Sequence, residues 1–380
     1  MGALDGVRVI ELAGIGPGPF CGMMLADMGA EVIRVDRASE VTGGDPEQPP
    51  RDVLARGRRS IGVDLKHPEG RETVLRLVES ADLFFEGFRP GVAERLGVGP
   101  GDCLGRNPAL VYGRMTGWGQ DGPYASAAGH DINYIALAGV LAHIGRGHTG
   151  PVPPLNLVGD FGGGGMYLAF GMVCALVEAR NSGRGQVVDA AMVDGAASLM
   201  SAFFGMMSSG FHQPQRGVNL LDTGAHFYDV YQCSDGEWIA LGAIEPQFYA
   251  EMLERLGLDP DEFATQYDRA QWPTLSEKVA QVVATRTRDQ WDSALAGTDV
   301  CYAPVLSAFE AVEHPHNVAR STFVDVAGVV QPSPAPRFSR TPGEIRRPPS
   351  HAGQHTDEIL AEAGFDADAV VALRTTGAIA

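Results

Sequence analysis

The sequence predicts an α/β protein: a large doubly wound domain on a mostly parallel sheet, then a smaller α+β domain. Three observations carry this prediction. Short β-branched runs alternate with segments of helical periodicity through the first third of the chain. The alternation stops near residue 131. Residues 226–244 then read as antiparallel strands joined by a turn at "CSDGEW". A chain of 380 residues has room for two domains and a large core.

Taken in order, "VRVIELAG" (7–14) is a short apolar run and reads as a strand. "PFCGMMLADMGA" (19–30) has apolar residues at helical spacing behind a proline, which fits a first helical position. "EVIRVD" (31–36) is a strand, residues 42–60 are a Gly/Pro-rich loop, and "SIGVDL" (60–65) is a strand. "PEGRETVLRLVESA" (68–81) is a helix with proline and acids in its first turn. "DLFFEGF" (82–88) and "ALVYGRMTG" (109–117) are strands. "DINYIALAGVLAHI" (131–144) and "GDFGGGGMYLAFGMVCALVEAR" (159–180) read as helices, the second opening on glycines. Residues 187–210 begin strand-like and become rich in small residues and Met. Residues 246–300 read as helical, "VCYAPVLS" (300–307) as a strand, and "TDEILAEAGF" (356–365) as a closing helix. The expected division is a large domain over 1–185 completed by 325–380, a linker over 186–224, and a small domain over 225–320. The Pro- and Arg-rich segment after 320 is expected to pack back on the first domain.

Composition narrows the function. Twenty-nine basic against forty-seven acidic residues give a net charge of −18, which speaks against nucleic acid as a partner. An anionic ligand must be met by a local basic patch, and nearly all the cations are Arg, with lysine only at Lys66 and Lys278. The five cysteines are scattered, odd in number and never in a C-x-x-C, so neither a disulfide framework nor a metal site is expected; the cytoplasm fits. The first residues lack the apolar region of a secretory signal, and no apolar run reaches the ~18 residues of a membrane span. No internal repeat or heptad pattern stands out.

"GIGPGP" (14–19) follows a strand and opens a helix, which invites a dinucleotide-binding reading. The third glycine of that fingerprint would fall on Pro19, so the reading fails, although the helix start can still receive an anion. "GHDINY" (129–134) offers a titratable His130 beside Asp131, and Asp160 stands before four consecutive glycines. Each acid has an ordinary alternative reading. Asp131 heads an apolar helix as an N-cap or first-turn acid, and Asp160 likewise precedes a helix. Capping does not explain Gly162 to Gly165, which would cost ~1 kcal/mol each against Ala inside a helix. Either something approaches that backbone closely, such as developing negative charge, or helices pack tightly there. Arginines cluster in "RDVLARGRR" (51–59) and "GFRPGVAERLG" (87–97), with Arg37 ending a strand. They are either ordinary surface residues or a phosphate site at the strand ends. The Met-rich stretch (Met192, Met200, Met206, Met207) reads as core or as an adaptable apolar surface.

Seven blocks in order resemble the family III CoA-transferases, and within them the α-methylacyl-CoA racemase branch. They are "VIELAGIGPGPF" (9–20), "DMGAEVIRVDR" (27–37), "NPALVYGRMTGWGQDGPY" (107–124), "GHDINYIALAGVL" (129–141), "PPLNLVGDFGGGG" (153–165), "GQVVDAAMVDG" (185–195) and "GAIEPQFY" (242–249). The resemblance implies a Rossmann-like CoA-binding domain and an interlocked homodimer in which the partner's small domain completes the cleft. It implies an acyl-CoA substrate and no cofactor, CoA being part of the substrate. It implies His130 and Asp160 as two bases on opposite faces of a 2-methylacyl-CoA, with Glu245 paired to the histidine and Asp131 beside them. It implies Arg37, Arg58, Arg59, Arg89 and Arg95 as contacts of the CoA phosphates. Two other activities stay open: a CoA-transferase using Asp160 as nucleophile, and an acyl-CoA-binding protein without catalysis.

Overall fold

The computed structural model describes all residues 1–380 and divides into two compact units. The first unit comprises residues 1–138, 155–199 and 321–380; the second comprises 139–154 and 200–320. The expected linker over 186–224 needs correction. Its first residues form a strand hydrogen-bonded into the large sheet, the next helix stays with that unit, and the second unit begins at 200.

The first unit opens with β1 (Arg8–Leu12), α1 (Pro17–Asp27), β2 (Glu31–Arg37), β3 (Arg58–Val63), α2 (Pro68–Val78) and β4 (Leu83–Glu86). Then come α3 (Val92–Arg95), α4 (Pro100–Arg106), β5 (Val111–Thr116) and α5 (Asp131–Leu137). After the excursion into the second unit come a π-helical turn (Leu157–Gly165), α6 (Met166–Ser182), β6 (Val187–Ala191) and α7 (Met192–Leu199). The six strands are all parallel, in the order β3-β2-β1-β4-β5-β6. Side chains alternate between the faces, so neighbouring residues serve different cores. Ile10, Ile33, Phe84 and Tyr112 join α2 and the C-terminal helices. Val9, Val32, Phe85 and Val111 join α1 and α6. Strand order reverses between β1 and β4, and in such sheets ligands bind at the strand ends beside that reversal.

The helix expected over 131–144 stops at Leu137, and Gly139 takes a positive φ of 82° that breaks it. The helical stretch Leu157–Ser182 is, by length and composition, long and apolar enough to cross a membrane, which corrects the expectation that no such run exists. One face of it packs on the sheet: Leu168, Met172 and Leu176 are buried in the cluster with Val111 and Met115.

The second unit contains α8 (Ser201–Ser208), the antiparallel strands β7 (Tyr228–Gln232), β8 (Trp238–Gly242) and β9 (Tyr302–Val305), and the helices α9 (Pro246–Leu256), α10 (Trp272–Val283), α11 (Arg288–Leu295), α12 (Ala308–Glu313) and α13 (Pro315–Ala319). Its core is its own, built from Phe227, Met252, Phe263, Trp272, Val279 and Trp291. The chain then returns to the first unit through a hairpin, β10 (Phe323–Val326) and β11 (Val329–Pro332), and two helices, α14 (Thr356–Glu362) and α15 (Ala367–Thr375). The last residues dock beside β3, where Ala380 N–H donates to the Gly62 carbonyl at 3.1 Å.

Candidate active site

At the strand reversal lies a cavity of about 1190 Å³. The end of β1 (Glu11 to Ile15), the end of β2 (Arg34 to Arg37) and Phe88, Val92 and Leu96 beyond β4 wall it. Its charged lining mixes Arg34, Arg37, Arg58 and Lys66 with Glu11, Asp36, Glu40, Asp52 and Asp64. Arg37 stands at the mouth with three-quarters of its side chain exposed and Glu40 at 3.5 Å. Arg34 is better held: its Nε donates to Asp36 Oδ2 at 2.8 Å and its Nη2 to the Ser350 carbonyl at 3.1 Å. Neither Arg34 nor Lys66 was singled out from sequence. Arg34 lies inside a strand run, and only the register shows that it ends at the cavity.

Two expected phosphate contacts are held by other partners in the structure. Arg58 is wholly buried beneath the cavity; its Nε donates to Glu11 Oε2 at 2.9 Å, and its other nitrogens donate to the carbonyls of Leu54, Arg56 and Pro19. Arg59 is 6% exposed and spends its guanidinium on Glu31, Glu358 and Glu362. The Arg58 guanidinium, with every nitrogen committed, has no donor left for a phosphate, and both Nη groups of Arg59 are held by carboxylates. Arg58 braces the cavity floor, and Arg59 ties α14 to β3. Arg89 and Arg95 are exposed on the segment after β4, and neither lines the cavity.

His130 is the N-cap of α5, in extended conformation at φ −133°, with its imidazole side chain exposed. Its own N–H donates to Asn133 Oδ1 at 3.0 Å, and its carbonyl accepts from the Asn133 N–H at 2.8 Å. Asp131 is therefore the first-turn acid and not the cap. It is 6% exposed, and its Oδ2 accepts the backbone N–H of Asp160 at 2.7 Å. Its Oδ1 is buried without a hydrogen-bond partner.

Asp160 sits within the π-helical turn, so it is not a cap either. Such turns widen a helix by one residue and often mark functional positions. Its half-buried carboxylate accepts from Asn156 Nδ2 at 3.1 Å. Burial raises its pKa above the usual carboxylate range, and the negative charge of Asp131 adds to this, against the Asn156 hydrogen bond and the charge of His130. Asn156 belongs to the "PPLNLVGDF" block, but four residues before an acid it carries no signal of its own. Gly16, at φ +69°, leaves open the space beside the carboxylate: a Cβ there would lie 3.1 Å from Asp160 Oδ2.

The glycine run has a packing explanation. A Cβ on Gly163 would lie 2.6 Å from the backbone N of Ala196, and one on Gly164 3.0 Å from Pro17 and 2.9 Å from Met192. α1 and α7 thus lie directly against the turn that carries Asp160. Tight helix packing, one of the two explanations open from sequence, accounts for these glycines.

Glu245 belongs to the second unit, where it precedes Pro246 as the N-cap residue of α9.

A parallel sheet of this order, a cavity at its reversal and a pair of acid and imidazole on two helix starts define a class, and the comparisons place the chain in it. Residues 4–356 match CoA-transferase family III, and the chain belongs to that family. It is 48% identical to alpha-methylacyl-CoA racemase of Mus musculus over 98% of this chain and 96% of that protein. It is 44% identical to alpha-methylacyl-CoA racemase of Homo sapiens, again over 98% and 96%. Among solved structures, a CAIB/BAIF family protein from Brucella suis superposes with a TM-score of 0.81 at 27% identity, covering 95% of this chain and 99% of that one.

Proposed function

We propose that the protein is a racemase that interconverts the (R) and (S) epimers of 2-methylacyl-CoA thioesters. The observation that carries this is the pairing of an exposed imidazole at one helix start with a half-buried, pKa-raised carboxylate at another. One group takes the proton α to the thioester. The carbonyl oxygen receives the charge as an enolate, and the other group returns a proton to the opposite face. His130 carries an exposed imidazole that suits the base role for one epimer. Asp160, held above the ordinary carboxylate range, suits the acid role in that direction and the base role in the other. Glu245 is the carboxylate that the resemblance pairs with His130, where it would fix the tautomer. The CoA moiety takes the cavity at the strand reversal, with Arg34, Arg37 and Lys66 facing its phosphates. No cofactor is required, because the thioester itself stabilises the enolate.

A homodimer fits the exposed stripe Met166, Phe170 and Val177 on α6, which soluble surfaces rarely leave bare. A monomer mass by light scattering would remove that part of the reading. Five cysteines without disulfides suit the cytoplasm.

The test is α-proton exchange into deuterated water, followed on each epimer separately. Wild type exchanges both. His130→Ala and Asp160→Asn each lose at least about a hundredfold in one direction of proton removal, the usual scale for a general base. Absence of exchange in the wild type sinks the racemase reading. The chain is also 32% identical to succinyl-CoA–D-citramalate CoA-transferase of Chloroflexus aurantiacus. A transferase would form an anhydride and then a thioester on Asp160, so hydroxylamine trapping of that residue during turnover would favour this second activity.

A further inference from the structure

Three charged residues stand side by side across three neighbouring strands of the large sheet. Glu86 on β4 is in register with Arg114 on β5, which is in register with Asp189 on β6. Residues in register on neighbouring parallel strands point to the same face, so the row alternates acid, base, acid. Glu86 is wholly buried and Arg114 is 8% exposed. Arg114 Nε donates to Glu86 Oε1 at 3.2 Å, and its Nη1 and Nη2 fork onto Glu94 of α3 at 2.8 and 3.3 Å. The charge of Arg114 also acts on Asp189.

Each acid of the row spends an oxygen on a loop. Glu86 Oε2 accepts the Phe88 N–H at 2.6 Å. Asp189 Oδ2 accepts the Gln120 N–H at 3.2 Å. The first loop carries Phe88 into the cavity wall, continues to Val92 and Leu96, and bears Arg89, whose charge acts on Tyr134 of α5. The second loop runs from the end of β5 to His130. Neither acid lines the cavity, and burying Glu86 has a cost. Burial pushes Glu86 up to about 7, against the pull of the Phe88 N–H and Arg114. A buried Glu86–Arg114 pair, in a row whose two acids each hold a backbone donor, is an expensive way to build a sheet unless the loop positions matter.

We propose that Glu86, Arg114 and Asp189 act as positioning residues, holding the loops at Phe88 and Gln120 and thereby setting the affinity for the CoA portion of the substrate. This deepens the acyl-CoA reading above and rests on it. None of the three is a catalytic residue.

The test compares wild type with Glu86→Gln and with Glu94→Gln. The first keeps shape and an acceptor for Phe88 but removes the charge. The second removes one end of the Arg114 fork at an exposed position. Measured quantities are KM and kcat for exchange, and the Kd of free CoA by calorimetry. Glu86→Gln is expected to raise both KM and the CoA Kd roughly fivefold to tenfold, with kcat within about threefold, the scale of one weakened charged hydrogen bond. Glu94→Gln shifts KM and Kd in the same direction by less. Folded variants with wild-type KM and wild-type CoA affinity overturn the proposal, as does a loss confined to kcat. If Glu86→Gln does not fold, Glu94→Gln alone decides, by the same criteria. CoA binding that weakens in the variants while the wild type exchanges no α-proton leaves this inference standing and removes only the racemase reading.

Discussion

Asp160 owes its protonation behaviour to a neighbour that need not touch the substrate. Asp131 gives one oxygen to the Asp160 N–H and leaves the other buried and unpartnered, so its charge acts on Asp160 at close range. Burial and that charge hold Asp160 toward the protonated form. Asp131→Asn keeps an acceptor for the N–H and removes the charge. The pKa of Asp160 then falls, and its proton is lost at a lower pH. The direction of exchange that needs Asp160 as acid should therefore decline at lower pH in the variant than in the wild type, while the direction that uses it as base extends further into acid. Paired pH profiles of exchange on the two epimers check this, and superimposable profiles would show that Asp131 serves packing alone. Sequence offered two ordinary roles for Asp131, cap or first-turn acid. The structure selects the second and adds a hydrogen bond to a residue twenty-nine positions away, which spacing does not encode.

The elements differ in how plainly the sequence announces them. β1, β2, β4 and β5 are short β-branched or aromatic runs between helices with proline near their starts, and their order follows from that alternation. The hairpin β10–β11 and the final helix α15 escape such a reading. Four-residue strands are too short for a period, and the Pro-rich neighbourhood argues against them. The glycine run is legible as an anomaly and not as a cause, because the residues that need the space, Pro17, Met192 and Ala196, lie on other elements. The arginines misled in the same way. Nothing local shows that Arg58 is wholly buried on Glu11 while Arg34, within a strand run, reaches the same cavity only partly buried. Gly163→Ala tests the packing account. Its methyl meets the backbone of α7 at 2.6 Å, and backbone cannot rotate aside as a side chain can. The expected loss is about 1–3 kcal/mol of stability, the usual cost of overpacking, together with reduced exchange because the turn carrying Asp160 must shift. Urea unfolding and exchange rates on one preparation measure both. Wild-type stability would refute the packing account.

At the scale of the whole molecule, acid acts on the second unit through a histidine buried in that unit's own core. His226 is fully enclosed, with its ring against Phe227, Tyr249 and Phe263. Tyr249 Oη donates to the Phe263 carbonyl at 3.1 Å, so His226 Nε2–H donates to Tyr249 Oη at 2.6 Å. Nδ1 is then the bare nitrogen, and it has no partner. A proton placed there would be a buried charge without a counter-ion. Desolvation by burial accordingly lowers the pKa of His226 from 6.5 to about 4. Between those values the unfolded chain binds a proton that the folded unit refuses, so stability rises with pH across the window and is lost as pH falls through it. From pH 7.5 to pH 5 the loss attributable to this one group is about 2 kcal/mol, by proton linkage across the two pKa values. His226→Gln keeps a donor toward Tyr249 and cannot titrate there. The variant should be less stable than wild type at pH 7.5, yet lose about 2 kcal/mol less on going to pH 5. Denaturant unfolding at the two pH values, followed by tryptophan fluorescence, measures it, since Trp238, Trp272 and Trp291 all lie in this unit and Trp118 alone lies in the other. Equal acid losses in variant and wild type would place the acid sensitivity elsewhere. Glu245 is carried by this same unit, at the start of α9, whose Tyr249 holds His226. Acid that loosens the unit therefore loosens α9, and Glu245 with it.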